Sequence, residues 1–165
     1  MGFVSVTGAS NYSPDFVMGT QTGSTAYQER VRVVGSSGNV GIGTTTPASK
    51  LQVSGTITNN VSTFTGAFTC GTSTIDFSTS NFQRFSPSAA IAAGSCATTL
   101  SNLVAGGSYT LVMTGNAVTN AVLYSFSGYT FKYLPANAAI TAGKDAIYTF
   151  LYDGVTVYVT WAGGY

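Results

Sequence analysis

Residues 32–55 read RVVGSSGNVGIGTTTPASKLQVSG, and every regular element in that stretch is cut short. Val31 and Val33 alternate with arginines before Gly35, Ser36, Ser37 and Gly38 break the chain into a turn. Val40 and Ile42 then flank Gly41, and Pro47 fixes φ at a sharp corner or at the first turn of a helix. Lys50, Leu51 and Val53 resume the alternation until Gly55 ends it. Strands of about four residues, at the short end of what proteins use, bury too little apolar surface to make a core within one chain. The pattern therefore predicts several copies winding about a common axis and sharing their apolar faces. Gly38, Gly41 and Gly43 do not form a phosphate cradle, because no Lys-Ser/Thr pair and no helical pattern follow them.

Composition agrees with a fold made of strands. Only 7% of the 165 residues are charged, the formal net charge is +1 and histidine is absent. With 44% hydrophobic residues, this is not the polar, highly charged composition of a disordered chain. The richness in Gly, Ser, Thr, Asn and aromatic residues predicts an all-β protein. So few charges leave strand edges poorly defended, and edges shared between subunits would remove that hazard. The apolar runs are far shorter than a bilayer span, and no charged leader with an apolar segment opens the chain. The six Lys and Arg residues form no stripe that would suit a nucleic acid. The expectation is no membrane insertion and no nucleic-acid partner.

Residues 1–29 are broken by Gly, Ser and Thr and are predicted to be a preceding piece of the same shaft, with short stacked strands. Glu29, Arg30 and Arg32 form a local charge cluster suited to pairing between subunits or to solvation. From Thr56 the texture changes. Alternation around Ile75 and Phe77, then at 81–85, 96–103, 109–113, 121–126, 129–134, 147–152 and 155–161, predicts about eight short strands separated by regular turn signals. Asp153-Gly154 is the strongest hairpin signal. Such spacing predicts a β-sandwich or jelly roll. The two cysteines, Cys70 and Cys96, flank a strand-like segment, and the expectation is a cross-strand disulfide, which suits an extracellular protein, with two buried free thiols as the alternative.

Residues 38–55 resemble the GNVGIGTTxPxxKLxVxG signature of shafts in phage tail fibres and in trimeric adhesive fibres of bacteria, predatory bacteria among them. The resemblance implies a homotrimer, with Val40, Ile42, Pro47, Leu51 and Val53 as the trimerising shaft positions. Residues 100–161 contain LSNLVAGGSYTLVMTG and GKDAIYTFLYDGVTVYVTW. They resemble terminal modules of viral fibre proteins, which read GGxYTLxV and then GKxDIxxFxYDGxxxY. Here Ala146 interrupts the second block between Asp145 and Ile147. The residues that match are framework and turn positions, so this resemblance implies fold and fibre role and carries over no catalytic residue.

An enzyme is not expected. Without histidine, Ser-His-Asp and zinc-histidine chemistry are excluded. Glycoside hydrolysis requires two carboxylates about 5–10 Å apart, and the acidic residues are Asp15, Glu29, Asp76, Asp145 and Asp153 alone. No metal or cofactor is expected. Binding is better supplied, since the ten tyrosines and one tryptophan offer rigid aromatic faces beside many amides and hydroxyls. The candidate ligand-binding residues are Trp161, Tyr133, Tyr129, Tyr124, Tyr158 and Tyr165, with Asn116, Asn137 and Asn120 as polar partners. Aromatic residues in alternating strands also serve as core, which is the expected role of Tyr109, Phe150 and Tyr152.

These observations predict an all-β chain with a short intertwined trimeric β shaft over residues 1–58. A β-sandwich or jelly-roll-like tip follows over residues 59–165. The expected function is extracellular adhesion, on a virion tail fibre or a bacterial surface, with the tip of a homotrimer binding a cell-surface glycan or protein receptor. A structural trimerisation cap and a polysaccharide depolymerase are the alternatives.

Overall fold

The computed structural model describes residues 3–7, 13–22, 26–66, 70–87, 94–115 and 122–165, with residues 3–7, 22, 26, 64–66 and 87 described for the backbone alone. The protein is all-β, with no helix among the described residues. It divides into two compact units, Met1–Thr58 and Asn59–Tyr165.

The first unit is one five-stranded sheet in chain order: β1 (Phe3–Thr7), β2 (Asp15–Thr22), β3 (Ala26–Val33), β4 (Val40–Ile42) and β5 (Leu51–Val53). Strands β1 to β4 pair antiparallel, and β5 joins β4 in parallel. The GSSG segment closes the β3–β4 hairpin, where the Gly38 amide donates to the Val34 carbonyl at 2.7 Å and Gly38 takes φ +67°. Parallel strands require a crossover, and the chain supplies one by folding residues 43–50 across the sheet. Asn39 Nδ2 donates to the Pro47 carbonyl at 3.0 Å, and Lys50 Nζ donates to the Ser37 carbonyl at 2.6 Å. Gly41 permits that crossing, because an added Cβ would lie 2.5 Å from the Thr44 carbonyl oxygen.

The pairing register places apolar residues in two rows across one face of this sheet. Phe16, Val33, Val40 and Leu51 stand opposite one another in sequence across β2 to β5, and Met18, Val31, Ile42 and Val53 form the second row. On β1 the register partners of Phe16 and Met18 are Val6 and Val4. Phe16, Met18, Ile42 and Leu51 remain 40–59% exposed. The opposite face carries Val17, Arg32, Gly41 and Gln52 in one register row. There Pro47 is buried, within 3.4 Å of where a Gly41 Cβ would stand, so it packs on the side away from Val40, Ile42, Leu51 and Val53. Arg32 binds Glu29 through two nitrogens, at 2.7 and 2.6 Å, and also pairs with Asp15. Within one chain Arg32 is thus paired with Glu29 and Asp15, because β2 brings Asp15 beside it, while Arg30 Nε donates to the Thr20 hydroxyl at 3.0 Å.

The second unit contains β6 (Val61–Gly66), β7 (Thr74–Asp76), β8 (Phe82–Pro87), β9 (Gly94–Ser101), β10 (Ser108–Met113), β11 (Val122–Ser127), β12 (Thr130–Tyr133), β13 (Ala146–Tyr152) and β14 (Thr156–Gly163). They form a six-stranded sheet, β12-β14-β13-β10-β8-β6, and a three-stranded sheet, β11-β9-β7. From β6 to β12 the chain changes sheet at every strand. Each return brings it back in the same direction, so β6–β8, β8–β10, β7–β9 and β9–β11 are all parallel. A jelly roll pairs its neighbours antiparallel; this connectivity is a winding instead. Among the described residues of this unit only β13 and β14 form a hairpin of neighbours, and Asp153 Oδ1 accepts from the amides of Val155 and Thr156 at 2.8 and 2.6 Å to close it.

Alternate residues of both sheets meet in one core. Phe126 of the three-stranded sheet stands edge-on to Tyr148 and Phe150 of the other, with ring centroids 5.0 and 5.1 Å apart. Cys70 and Cys96 are joined by a disulfide that ties the turn before β7 to β9. Cys96 is fully buried, while Cys70 lies at the surface.

Candidate functional site

The aromatic candidates fall into three environments, set by strand parity. On β14, Val157 and Val159 face the core, so Tyr158 between them faces out and is 43% exposed. Its register partners are Leu151 and Lys132, and Lys132 Nζ sits 5.8 Å from the Tyr158 ring centroid. That spacing is a cation–π contact. Tyr158 and Leu151 border a shallow hollow of about 240 Å³ beside the hairpin, with Gly106, Gly107, Tyr152 and Asp153. Tyr165 is also exposed, but it lies beyond the other end of β14 from the hairpin.

Trp161, Tyr129 and Tyr133 are half-buried and packed against the core. The Trp161 ring lies nearly parallel to Tyr148 at 6.0 Å, and its Nε1 donates to the Ala136 carbonyl at 3.4 Å. The Tyr129 hydroxyl accepts from the Leu103 amide at 3.0 Å. Burial raises the Tyr133 pKa, partly offset by a hydrogen bond with the Phe126 backbone.

Tyr124 belongs to the core itself, with 2% exposure, because Val122, Tyr124 and Phe126 share the inward parity of β11. Desolvation pushes its pKa up to about 12. Its carbonyl accepts from Asn137 Nδ2 at 2.6 Å. The Tyr124 and Tyr148 hydroxyls and Asn137 Oδ1 are buried without a partner among the described residues. Asn116 and Asn120 lie outside the described residues.

A second cavity, of about 230 Å³, opens where the edge strands β6 and β7 leave the two sheets parted. Ile75, Phe85 and Leu111 line its apolar side, and Ser62, Asp76 and Gln83 bring polar groups to it. Gln83 was not singled out by residue type. The available signal was parity: it shares the inward face of β8 with Phe85, a polar side chain where an apolar one is the rule.

Each acidic side chain has a partner in its own chain. Asp15 and Glu29 hold Arg32, Asp76 Oδ1 accepts from Asn102 Nδ2 at 2.7 Å, Asp145 Oδ1 accepts from the Gly115 amide at 2.7 Å, and Asp153 closes its hairpin. Hydrogen bonds hold Asp76 below the usual carboxylate range, that from Asn102 first and those from Ser78 next. Among the described residues no group of His, Cys, Asp and Glu is placed to hold a metal ion. Comparison with known proteins finds no matching family model, no matching curated protein and no matching solved structure.

Proposed function

We propose that this chain is part of a homotrimeric adhesive fibre, in which a short β shaft carries a β-sandwich tip that binds a cell-surface receptor, most simply a glycan. The observation that carries the reading is the pair of apolar rows across β2 to β5, with Phe16, Met18, Ile42 and Leu51 exposed on one face while the other face is charged and partly closed by residues 43–50. A sheet with one apolar face is stable in water when that face is covered, and copies of the same sheet are the cover that the shaft resemblance implies. In the tip, two sheets sharing one core support a sandwich wound through parallel strands. The exposed Tyr158 with Lys132 and the cavity at β6 and β7 provide surfaces for a ligand. Three weak sites on one trimer would act together through avidity.

The acidic side chains serve turns, loops and ion pairs, which favours binding over hydrolysis. A structural cap is the second reading, favoured by the packing of Trp161, Tyr129 and Tyr133 against the core. Sedimentation equilibrium should return three times the chain mass, and a monomer would overturn the fibre. The labelled trimer should bind members of a glycan array or stain cells. A trimer that does neither is a cap.

A further inference from the structure

We infer that the cavity between β6 and β7 is a binding site for one neutral pyranose ring; the inference rests on the adhesive reading of the tip and gives it a location. The site has an apolar floor to which Ile75 and Phe85, exposed by 7% and 3%, present surface, with Leu111 fully buried at its border. A pyranose has an apolar face of C–H groups that suits such a floor, while its hydroxyls require polar partners at the edge. Gln83 supplies one. It is 6% exposed, and its Nε2 donates to the carbonyls of Asp76 at 2.9 Å and Ser80 at 3.1 Å. Both amide hydrogens are thereby used, the side chain is fixed, and Oε1 accepts no hydrogen bond among the described residues. A side-chain amide oxygen held in a cavity is an acceptor waiting for a donor.

Asp76 supplies the second acceptor. Asn102 Nδ2 and the Ser78 amide, at 2.7 and 2.8 Å, orient its carboxylate, which has capacity for a further donor. Ser62 on the edge strand β6 adds a hydroxyl that can donate or accept. Arg84 also borders the cavity, exposed like Asp76 at the outward parity of its strand, so the lining carries one charge of each sign and no net charge, which suits a neutral ring. The volume falls below the range of about 300–1,000 Å³ typical of drug-sized ligands, which suits one ring and not an oligosaccharide.

The test is saturation-transfer NMR on the whole chain with methyl glycosides of glucose, galactose, mannose and N-acetylglucosamine, and with methyl glucuronide as the acidic comparator. At least one neutral glycoside should bind and the glucuronide should not. Asp76→Asn keeps an oxygen for Asn102 and Ser78 but loses the charge, and should weaken binding about tenfold, as expected for one charge-assisted hydrogen bond. Ser62→Trp, which fills the mouth from an edge strand, should abolish binding with the near-ultraviolet circular dichroism of the core retained. Silence from every neutral glycoside, preference for the glucuronide, or unchanged binding in both variants overturns the inference. If the wild-type trimer and both variants stain the same glycan array equally, the adhesive reading stands and the site lies elsewhere. If the wild-type trimer stains neither array nor cells, the adhesive reading fails and the inference fails with it.

Discussion

Phe126 and Phe150 come from different sheets and meet edge to face, with centroids 5.1 Å apart and ring planes at 88°. Edge-to-face rings gain about 0.5–1.5 kcal/mol beyond their buried area. Phe150 also lies within 6.3 Å of Tyr148 on its own strand and 6.1 Å of Phe77, so the cluster joins three segments of the second unit. Phe150→Ala should cost about 3–5 kcal/mol, the range for deleting a fully buried ring. Urea unfolding followed by tyrosine fluorescence would measure it, and a loss below about 1 kcal/mol would contradict this account of the core.

The apolar rows of the first unit make a prediction of the opposite kind. Leu51 and Ile42 are 59% and 42% exposed in the single chain, so lysine there should leave the stability of an isolated chain within about 0.5 kcal/mol. In an assembly that covers these rows, the same lysines would be buried without partners. Leu51→Lys with Ile42→Lys should therefore convert trimer to monomer by sedimentation while the circular dichroism remains that of strands. A double variant that stays trimeric would show that the rows are not the interface.

The disulfide joins residues 26 apart in sequence. On the chain-entropy account, closing such a loop stabilises by roughly 3–4 kcal/mol. Replacing Cys70 and Cys96 together by alanine should lower the urea midpoint accordingly, with the slope unchanged unless the unfolded chain expands. An unchanged midpoint, compared with the oxidised parent, would show that the cross-link contributes nothing.

Stability should be flat near neutrality and fall at both extremes. Asp15, Asp76 and Asp153 are each held below the ordinary carboxylate range, chiefly by the Gly35 amide, by Asn102 and by the Thr156 amide respectively. A depressed folded pKa gives stabilisation that is complete above the unfolded value of about 3.9 and is lost as pH falls through the folded value. At the alkaline end burial raises Tyr124 to about 12 and raises Tyr148 as well. The unfolded chain then ionises first, and stability declines as pH rises past about 10. Histidine is absent, so no group of that class titrates between. Urea midpoints should be level from about pH 5 to 9, and the ultraviolet absorbance of the last tyrosinates should appear together with unfolding. A sharp change between pH 6 and 8 would refute this.

Much of the strand pattern was legible. Alternation located β8 through β14 to within a few residues, and Asp153-Gly154 marked the hairpin, because these are local properties of side-chain period and turn chemistry. Among the binding candidates parity was the underused signal. The Val122, Tyr124, Phe126 set is apolar at every second position, which places Tyr124 inside, whereas Tyr158 alternates with Val157 and Val159 and must face out. The cavity at β6 and β7 was not legible, since Ser62, Asp76 and Gln83 are brought together by strands with no common local signature.

The sequence by itself determined that the chain is all-β, where many of its strands run, and which residues of β13 and β14 turn back on each other. Those follow from contacts among near neighbours. Only the tertiary structure decided that the second unit winds between two sheets through parallel pairs, and that Arg32 is satisfied by Asp15 and Glu29. It also decided that Pro47 packs away from the apolar rows it accompanies in sequence. Which strand lies beside which is a choice among long-range partners of similar composition, and it is settled by burying both sheets in one core.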